Sequence, residues 1–416
     1  MTKEKLKPSK KKVLFVSACS PFPWDMGIKA RIFNLIKALG VKTELSYFCK
    51  AQTKAEIENA HVLNKYCKDV QMILTPNKRS IWHRIYYYGL YVLKSVFLAT
   101  PRDYYYANLS AFRKQLESYI LRNSFDVIIF EYWYWTEVLE KIKKGYTVID
   151  TNDVQFERLE RICNLNLRKP FFSKWWGQYQ LRRYKEEEIK ALKKCDDIIM
   201  VTETDNQTIK KLLRTDRDFP IVPTGVDTDY FQPDKGREEK RTIIFYGAMD
   251  GKANIEAALL FYDKMLSIIT NRFRDITFLI VGANPSREII DLQRDERVEV
   301  TGFVEDLRPC LARGGVLVCP FQYSYGQRAR LYEVMAMAIP VVVTPPTIVG
   351  MGLVPGEGIL IKETHQEMAE AVINLLGNKE FSMELGRKGR RFVVENKSVQ
   401  KTYEKFAEYI VNVEQN

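Results

Sequence analysis

Histidine is scarce in this chain: three residues in 416, at His61, His83 and His365, too far apart in sequence to suggest a metal constellation. Cysteine is present but unpatterned. The seven (Cys19, Cys49, Cys67, Cys163, Cys195, Cys310 and Cys319) are scattered, odd in number and contain no Cys-x-x-Cys pair. They read as buried thiols in a reducing compartment, with neither a disulfide framework nor a zinc site. No uninterrupted apolar run of about 18 residues occurs, so no segment reads as a membrane-spanning helix. The lysine-rich start, Met1 to Lys12, leads only to a short apolar stretch, Val13 to Ala18, which is followed by Pro21 and Pro23. That pattern is a buried strand rather than a secretory leader.

What is present is enough apolar sequence, 46% of residues, and enough length for two cores. The net charge of +12 is unevenly placed: through Pro233 there are 40 Lys and Arg against 27 Asp and Glu, and beyond it 24 against 25. A basic half suits nucleic acid, an anionic membrane surface or an anionic substrate. No RNA- or DNA-binding motif accompanies the charge, which sets nucleic acid aside. Two stretches, Arg79 to Lys94 and Lys169 to Trp176, interleave basic residues with tyrosine, tryptophan and phenylalanine. Such mixtures suit the interface of an anionic bilayer. The alternative is a partly buried helix with a few exposed lysines.

Short apolar strands alternate with helical stretches. In the first half, Val13–Val16, Val127–Phe130, Thr147–Asp150 and Ile198–Val201 read as buried parallel strands, and helices are predicted over Ala30–Leu39, Ala111–Leu121, Trp175–Leu192 and Asp205–Leu213. Pro223 to Pro233 is dense in turn residues and Asp234 to Lys240 is charged, which marks a linker. A second alternation follows, with strands at Thr242–Tyr246, Thr277–Val281, Val298–Thr301, Gly315–Cys319 and Val341–Thr344 and helices at Asn254–Ile269 and up to Met337. The fold class expected is α/β, two Rossmann-like domains with the ligand in a cleft at the carboxyl ends of the strands. The domains are 1–232 and 233–397, with 398–416 a terminal amphipathic helix.

One strand–loop–helix junction carries the most chemistry. After Val316–Pro320 come Gly326, Arg328 and Arg330, then Leu331–Ala336 with Glu333 one turn further in. A helix N-terminus offers unpaired N–H groups and a positive dipole, and arginine adds forked hydrogen bonds, so the site favours a phosphate or diphosphate. A carboxylate one turn on can accept from the paired hydroxyls of a ribose. Together they point to a nucleoside diphosphate; the alternative is a solvated cap.

These segments resemble the GT-B glycosyltransferases, specifically retaining enzymes of glycosyltransferase family 4 and the related group that builds bacterial surface polysaccharides. The matching residues run from Pro21 to Ile361: Pro21-x-Pro23 with Gly27 and Arg31; Asp150-Thr151-Asn152-Asp153 with Arg158; Pro223-Thr224-Gly225-Val226-Asp227 with Phe231 and Pro233; Tyr246-Gly247-Ala248-Met249-Asp250 with Asn254; Ile280-Val281-Gly282; Gly302-Phe303-Val304; and Gly326-x-Arg328-x-Arg330-x-x-Glu333 leading to Pro340. The resemblance implies that the C-terminal domain holds a nucleotide-sugar donor. Gly302, Phe303 and Val304 would meet the base, Glu333 the ribose, and Arg328 and Arg330 the diphosphate, with Gly247 in the same donor site. Gly27 would let backbone approach the donor phosphates without a Cβ, unless it is a simple turn glycine. It also implies that the last helix packs back on the N-terminal domain.

In three places the chain departs from the family pattern. Tyr325 stands where fuller members have an acidic residue, Asn152 where many have histidine, and Ala338 where glycine is common. Expected chemistry is metal-independent transfer, since no Asp-x-Asp pair lies near the donor loop, with no cofactor. Fixed cations stabilise the leaving diphosphate, and Asp150 and Asp153 are candidates to take the acceptor's proton, beside Arg328 as the cationic catalytic group. For those two aspartates the alternative is a helix-capping pair that holds Arg158. The acceptor implied is lipid-linked or a growing polysaccharide, at the cytoplasmic face of a membrane. A degenerate binding or scaffold subunit and a nucleotide-sugar epimerase are the alternatives.

Overall fold

The structure, a computed structural model, describes residues 10–22, 27–75, 110–142, 145–157, 159–160, 171–234, 241–323 and 329–414. The Arg79–Lys94 stretch, Cys163, Arg158, Tyr325, Gly326 and Arg328 lie outside these residues. The chain divides into two compact units, residues 1–223 with 403–416, and residues 224–402.

The first unit is a six-stranded sheet in the order β3-β2-β1-β4-β5-β6, built from β1 (Lys12–Ser17), β2 (Glu44–Ala51), β3 (Asp69–Leu74), β4 (Val127–Glu131), β5 (Tyr146–Asp150) and β6 (Asp197–Ile199). Every pairing is parallel. Its main helices are α1 (Gly27–Lys42), α2 (Ser110–Arg122), α3 (Phe171–Leu192) and α4 (Glu203–Leu213). In β1 and β4 every residue but Lys12 is buried, so both faces of the sheet are covered, which is why these strands read as unbroken apolar runs. By contrast β2 (ELSYFCKA) mixes Ser, Lys and Cys into its apolar positions, and edge strand β3 is only half-buried. Neither is announced by periodicity. Helix α4 starts where Thr202 accepts the Asp205 N–H at 3.0 Å and stops at Arg214 in the left-handed region.

The second unit repeats the plan with β7 (Arg241–Tyr246), β8 (Ile276–Val281), β9 (Val298–Val300), β10 (Val316–Cys319), β11 (Val341–Val343) and β12 (Ile359–Ile361), in the order β12-β11-β10-β7-β8-β9, again all parallel. Its main helices are α5 (Lys252–Phe261), α6 (Ala329–Ala336), α7 (His365–Gly377) and α8 (Lys379–Asn396). The predicted helix from Asn254 is longer than expected: α5 passes through one π turn, Tyr262–Leu266, into Ser267–Arg272. A capping box between Thr364 and Glu367 starts α7. Ala338, just past α6, has φ 57, a conformation that costs an alanine about 1 kcal/mol relative to glycine. The terminal helix α9 (Val399–Asn412) belongs to the first unit from Tyr403 onward.

Both sheets have the Rossmann order, and in each the order reverses between two central strands: β1 and β4 in the first unit, β7 and β10 in the second. Ligands in such sheets sit beyond the carboxyl ends of the strands at that reversal. Of the sequence-predicted polar residues, Asp150 and Asp153 follow the first reversal in the chain and Arg330 and Glu333 the second.

Candidate active site

In the second unit, β7 ends in Tyr246 and Gly247. The Tyr246 hydroxyl donates to Glu333 Oε2 on α6. Arg330, one turn earlier on the same face of α6, donates from Nη1 to the Tyr246 carbonyl and to Asn254 Oδ1, the latter at 3.0 Å. Its guanidinium also lies 5.7 Å from the Tyr246 ring centroid and 5.8 Å from that of Phe321, so two aromatic faces hold it. Gly247 is required by this arrangement, because a Cβ there would lie 2.3 Å from Arg330 Nη1.

Burial pushes the Glu333 carboxyl above its ordinary range, while the Tyr246 hydrogen bond and the Arg330 charge pull it back. Burial first, and then the Glu333 charge, push the Tyr246 phenol well up, so it remains a hydrogen-bond donor. Glu333 is only half-buried, and its Oε1 makes no hydrogen bond among the described residues. A cation fixed by protein partners and a carboxylate with one open oxygen therefore stand one helical turn apart at the β7–β10 reversal.

Three loops on this edge are stitched in series. The Gly247 N–H donates to the Val281 carbonyl at 3.0 Å, and the Gly282 N–H to the Gly302 carbonyl at 3.2 Å. Gly302 has φ 69, and a Cβ there would meet nothing within 4 Å. Its neighbour Phe303 is 68% exposed, whereas Val304 packs against the core. The loop is anchored beyond them by Asp306, which accepts from the Arg308 backbone and guanidinium and is held down at about 2 by them. An exposed aromatic on an anchored loop is what a base needs for stacking.

In the first unit Gly27 is the exposed first residue of α1. Asp150 requires a correction. It is 0% exposed, and both of its oxygens accept from Arg31, at 2.9 Å for Oδ1 and 3.1 Å for Oδ2. A carboxylate shut away from solvent with a guanidinium on both oxygens is not placed to take a proton from a substrate hydroxyl. Arg31 is 3% exposed and also donates to the Val222 and Pro223 carbonyls, at 3.0 and 3.1 Å, while its guanidinium lies 5.8 Å from the Tyr403 ring centroid. Asp150 thus fastens α1, β5, the segment after β6 and the terminal helix through one cation. Asp153 is half-buried, and of the two it is the carboxylate a ligand can reach.

Sequence reasoning missed Glu131, at the end of β4. It is 0% exposed, and burial pushes its carboxyl up to about 8, with the Asp150 charge adding to the rise. Ser17 at the end of β1 and Asn152 after β5 both hydrogen-bond to it. The only signal available was a lone acidic residue closing the apolar run Val127–Phe130.

Residues 240–378 match the family described as Glycosyl transferases group 1. That match, a third of the chain, lies within the second unit. The chain as a whole has the GT-B fold, as solved structures show. Sucrose-phosphate synthase from Thermosynechococcus elongatus aligns with a TM-score of 0.71 at 14% identity, over 96% of this chain and 98% of that one. WaaG, a glycosyltransferase involved in lipopolysaccharide biosynthesis, aligns at 0.66 and 14%, over 96% and 100%. HepE from Anabaena, in complex with UDP and glucose, aligns at 0.66 and 10%, over 97% and 100%. No curated protein matches the chain in a sequence search. The group 1 domain encloses the Tyr246–Arg330–Glu333 site.

Proposed function

We propose that the chain is a retaining glycosyltransferase that moves a sugar from a nucleotide-sugar donor to a lipid-linked or growing polysaccharide acceptor. The observation that carries this reading is the pairing of Arg330 and Glu333 at the β7–β10 reversal of a group 1 domain. Glu333 Oε1 accepts the ribose hydroxyls, Phe303 stacks on the base, and Arg330 meets the diphosphate, joined by Arg328 from the neighbouring sequence. Negative charge grows on the diphosphate as its bond to the sugar breaks. Cations already fixed in place stabilise that charge without reorganising, so the reading needs neither a metal nor a cofactor. The acceptor's proton passes to Asp153 or to a donor phosphate oxygen. HepE, which shares the fold, has been seen with UDP and with glucose.

The acceptor and its location rest on the basic, aromatic first unit. On α3, Trp175 is 60% exposed and its ring stacks on that of Tyr179 at 6.0 Å, with the exposed Arg182 side chain, paired to Glu186 at 3.1 Å, on the same helix. Exposed tryptophan beside arginine suits the headgroup region of an anionic bilayer. Among the described residues no helix is long and apolar enough to cross a membrane. The reading therefore places the protein peripherally, on the cytoplasmic face. Asn152, where many resembling chains have histidine, favours a second reading: a binding subunit that holds donor without transferring it.

Calorimetric titration with UDP, GDP and ADP, with and without magnesium, tests the site. Micromolar binding of one of them, equal in the two conditions, is the expected result, and no binding of any would remove the nucleotide reading. Release of nucleoside diphosphate only when acceptor is added separates transfer from donor holding. Gly247→Ala is expected to displace Arg330 and weaken the bound nucleoside diphosphate about tenfold, roughly 1.4 kcal/mol. An unchanged Kd in that variant would show that Arg330 does not act from this position.

A further inference from the structure

Ser17, Glu131 and Asp150 end three neighbouring strands, β1, β4 and β5, and all three are 0% exposed. They lie at the β1–β4 reversal, the first unit's counterpart of the donor site. Asp150 is matched by Arg31, but among the described residues no cation bonds to either Glu131 oxygen. Two carboxyls thus share one guanidinium in a water-free place, where a second negative charge is costly.

The hydrogen bonds around Ser17 accommodate a protonated Glu131. Ser17 Oγ lies within hydrogen-bond reach of both the Cys19 carbonyl, at 2.8 Å, and Glu131 Oε2. A hydroxyl has one proton, and the Cys19 carbonyl also accepts from the Tyr47 hydroxyl at 3.1 Å, so Ser17 can serve either the carbonyl or Glu131. When Ser17 serves the carbonyl, the proton between Ser17 and Glu131 comes from Glu131. With it, Ser17 accepts from Glu131 and from the Cys19 N–H, at 3.3 Å, and donates to the Cys19 carbonyl, so every group is satisfied. The other carboxyl oxygen, Oε1, remains an acceptor and receives the Asn152 Nδ2–H at 3.4 Å.

That bond fixes which way the Asn152 amide faces. Its Oδ1 is buried and has no partner, and Asn152 itself is held at φ 54. On the other side of Glu131, Tyr132 is strained, at φ 62 and ψ 163, a region used almost only by glycine. A strained residue next to one buried acid, beside an acceptor atom without a donor among the described residues, describes a ligand-facing edge rather than a packed core.

We propose that Glu131 is a positioning residue working as a neutral carboxylic acid: its proton holds Ser17, its Oε1 orients the Asn152 amide, and Asn152 Oδ1 is thereby presented to a hydroxyl of the transferred or accepting sugar. The ligand part of this assignment rests on the transferase reading; the protonation part does not. Ionising Glu131 turns the Ser17 hydroxyl from the Cys19 carbonyl to Glu131 and sets a second carboxylate charge beside Asp150, so that the single Arg31 charge faces two carboxylates. Their repulsion displaces the strand ends that carry Ser17 and Asn152. The groups facing Glu131 are Asp150 on β5, Arg31 on α1, Cys19 after β1, and Tyr47 and Cys49 on β2. Burial raises both thiols and the phenol, so they stay neutral through the range in which Glu131 titrates, and Arg31 stays cationic.

The test compares wild type with Glu131→Gln, which keeps a donor and an acceptor but cannot ionise, and with Glu131→Ala. The folded chain keeps the Glu131 proton to about 8 while the unfolded carboxyl loses it near 4.5. Stability is therefore greatest below the unfolded value and is lost as pH rises through this window. Thermal midpoints from pH 4.5 to 9 are expected to fall less steeply for Glu131→Gln than for wild type; parallel curves would overturn the neutral-acid assignment. Wild-type kcat is expected to drop about tenfold between pH 7 and pH 9, a drop that Glu131→Gln abolishes, with glutamine restoring most of the activity that alanine removes. A glutamine variant that keeps the alkaline drop, or that is as inactive as alanine at pH 7, would overturn the positioning role. Asn152→Gly, which keeps the left-handed backbone, is expected to lower kcat/KM at least tenfold with little change in midpoint, and unchanged kinetics would remove Asn152 from the assignment. The stability comparison needs no substrate, so it decides the protonation claim even if no transfer is found.

Discussion

Replacing Glu333 by alanine is expected to weaken nucleoside diphosphate binding by roughly 30- to 150-fold, the loss of about 2–3 kcal/mol that hydrogen bonds to a charged group contribute. The carboxylate has two duties. Its Oε2 receives the Tyr246 hydroxyl, and in the proposed site its Oε1 accepts from the ribose. Alanine removes both and leaves a buried phenol without an acceptor, so some stability goes as well, about 1–3 kcal/mol. Tyr246→Phe separates the two effects, because it removes the phenol and leaves the carboxylate. Calorimetry on both variants should show a large affinity loss for Glu333→Ala and a small one for Tyr246→Phe. Equal losses would mean that Glu333 acts by holding Tyr246 and not by touching the nucleotide.

The second large effect is expected at Asp150, and it is one of stability rather than of chemistry. Asp150→Ala leaves the Arg31 guanidinium buried at 3% exposure with only carbonyl partners. Breaking such a pair from one side costs about 3–5 kcal/mol. For a unit of this size that corresponds to a drop of roughly 6–20 °C in the midpoint of the first unit's unfolding. Scanning calorimetry resolves it, with the second unit's transition as an internal reference. The double replacement Arg31→Met with Asp150→Leu should recover a large part of the loss, because it removes both charges together. If the single variant lost transfer activity with no change in midpoint, Asp150 would return to the chemistry and its pairing with Arg31 would be incidental.

How far each feature was legible follows from whether its cause is local. Strands β1, β4, β5, β7, β8 and β10 could be read because a strand covered on both faces must be apolar throughout. Strand β2 could not, because Ser46, Cys49 and Lys50 interrupt its pattern and its burial depends on neighbours. At the β7–β10 reversal, the shared helix face of Arg330 and Glu333 was legible from a short motif, since one helical turn sets their spacing. Their partners Tyr246 and Asn254 stand 87 and 76 residues away, and no spacing reports such pairs. Asp150 drew attention as an acidic residue at a strand end, but its pairing could not be read there, because its partner Arg31 is 119 residues distant. Glu131 went unremarked for the same reason.

The sequence by itself determined two alternating α/β halves, the basic bias of the first, and the helix turn that carries Arg330 and Glu333. These follow from burial periodicity, charge and helix geometry, all local properties. Only the tertiary structure decided what each polar residue at the strand ends does. Folding brings Ser17 to Glu131, Arg31 to Asp150 and Tyr246 to Glu333, and removes water from around them. Once water is gone, the protonation state and reach of a carboxyl depend on whichever donor or cation has been placed beside it. That neighbour comes from a distant part of the chain.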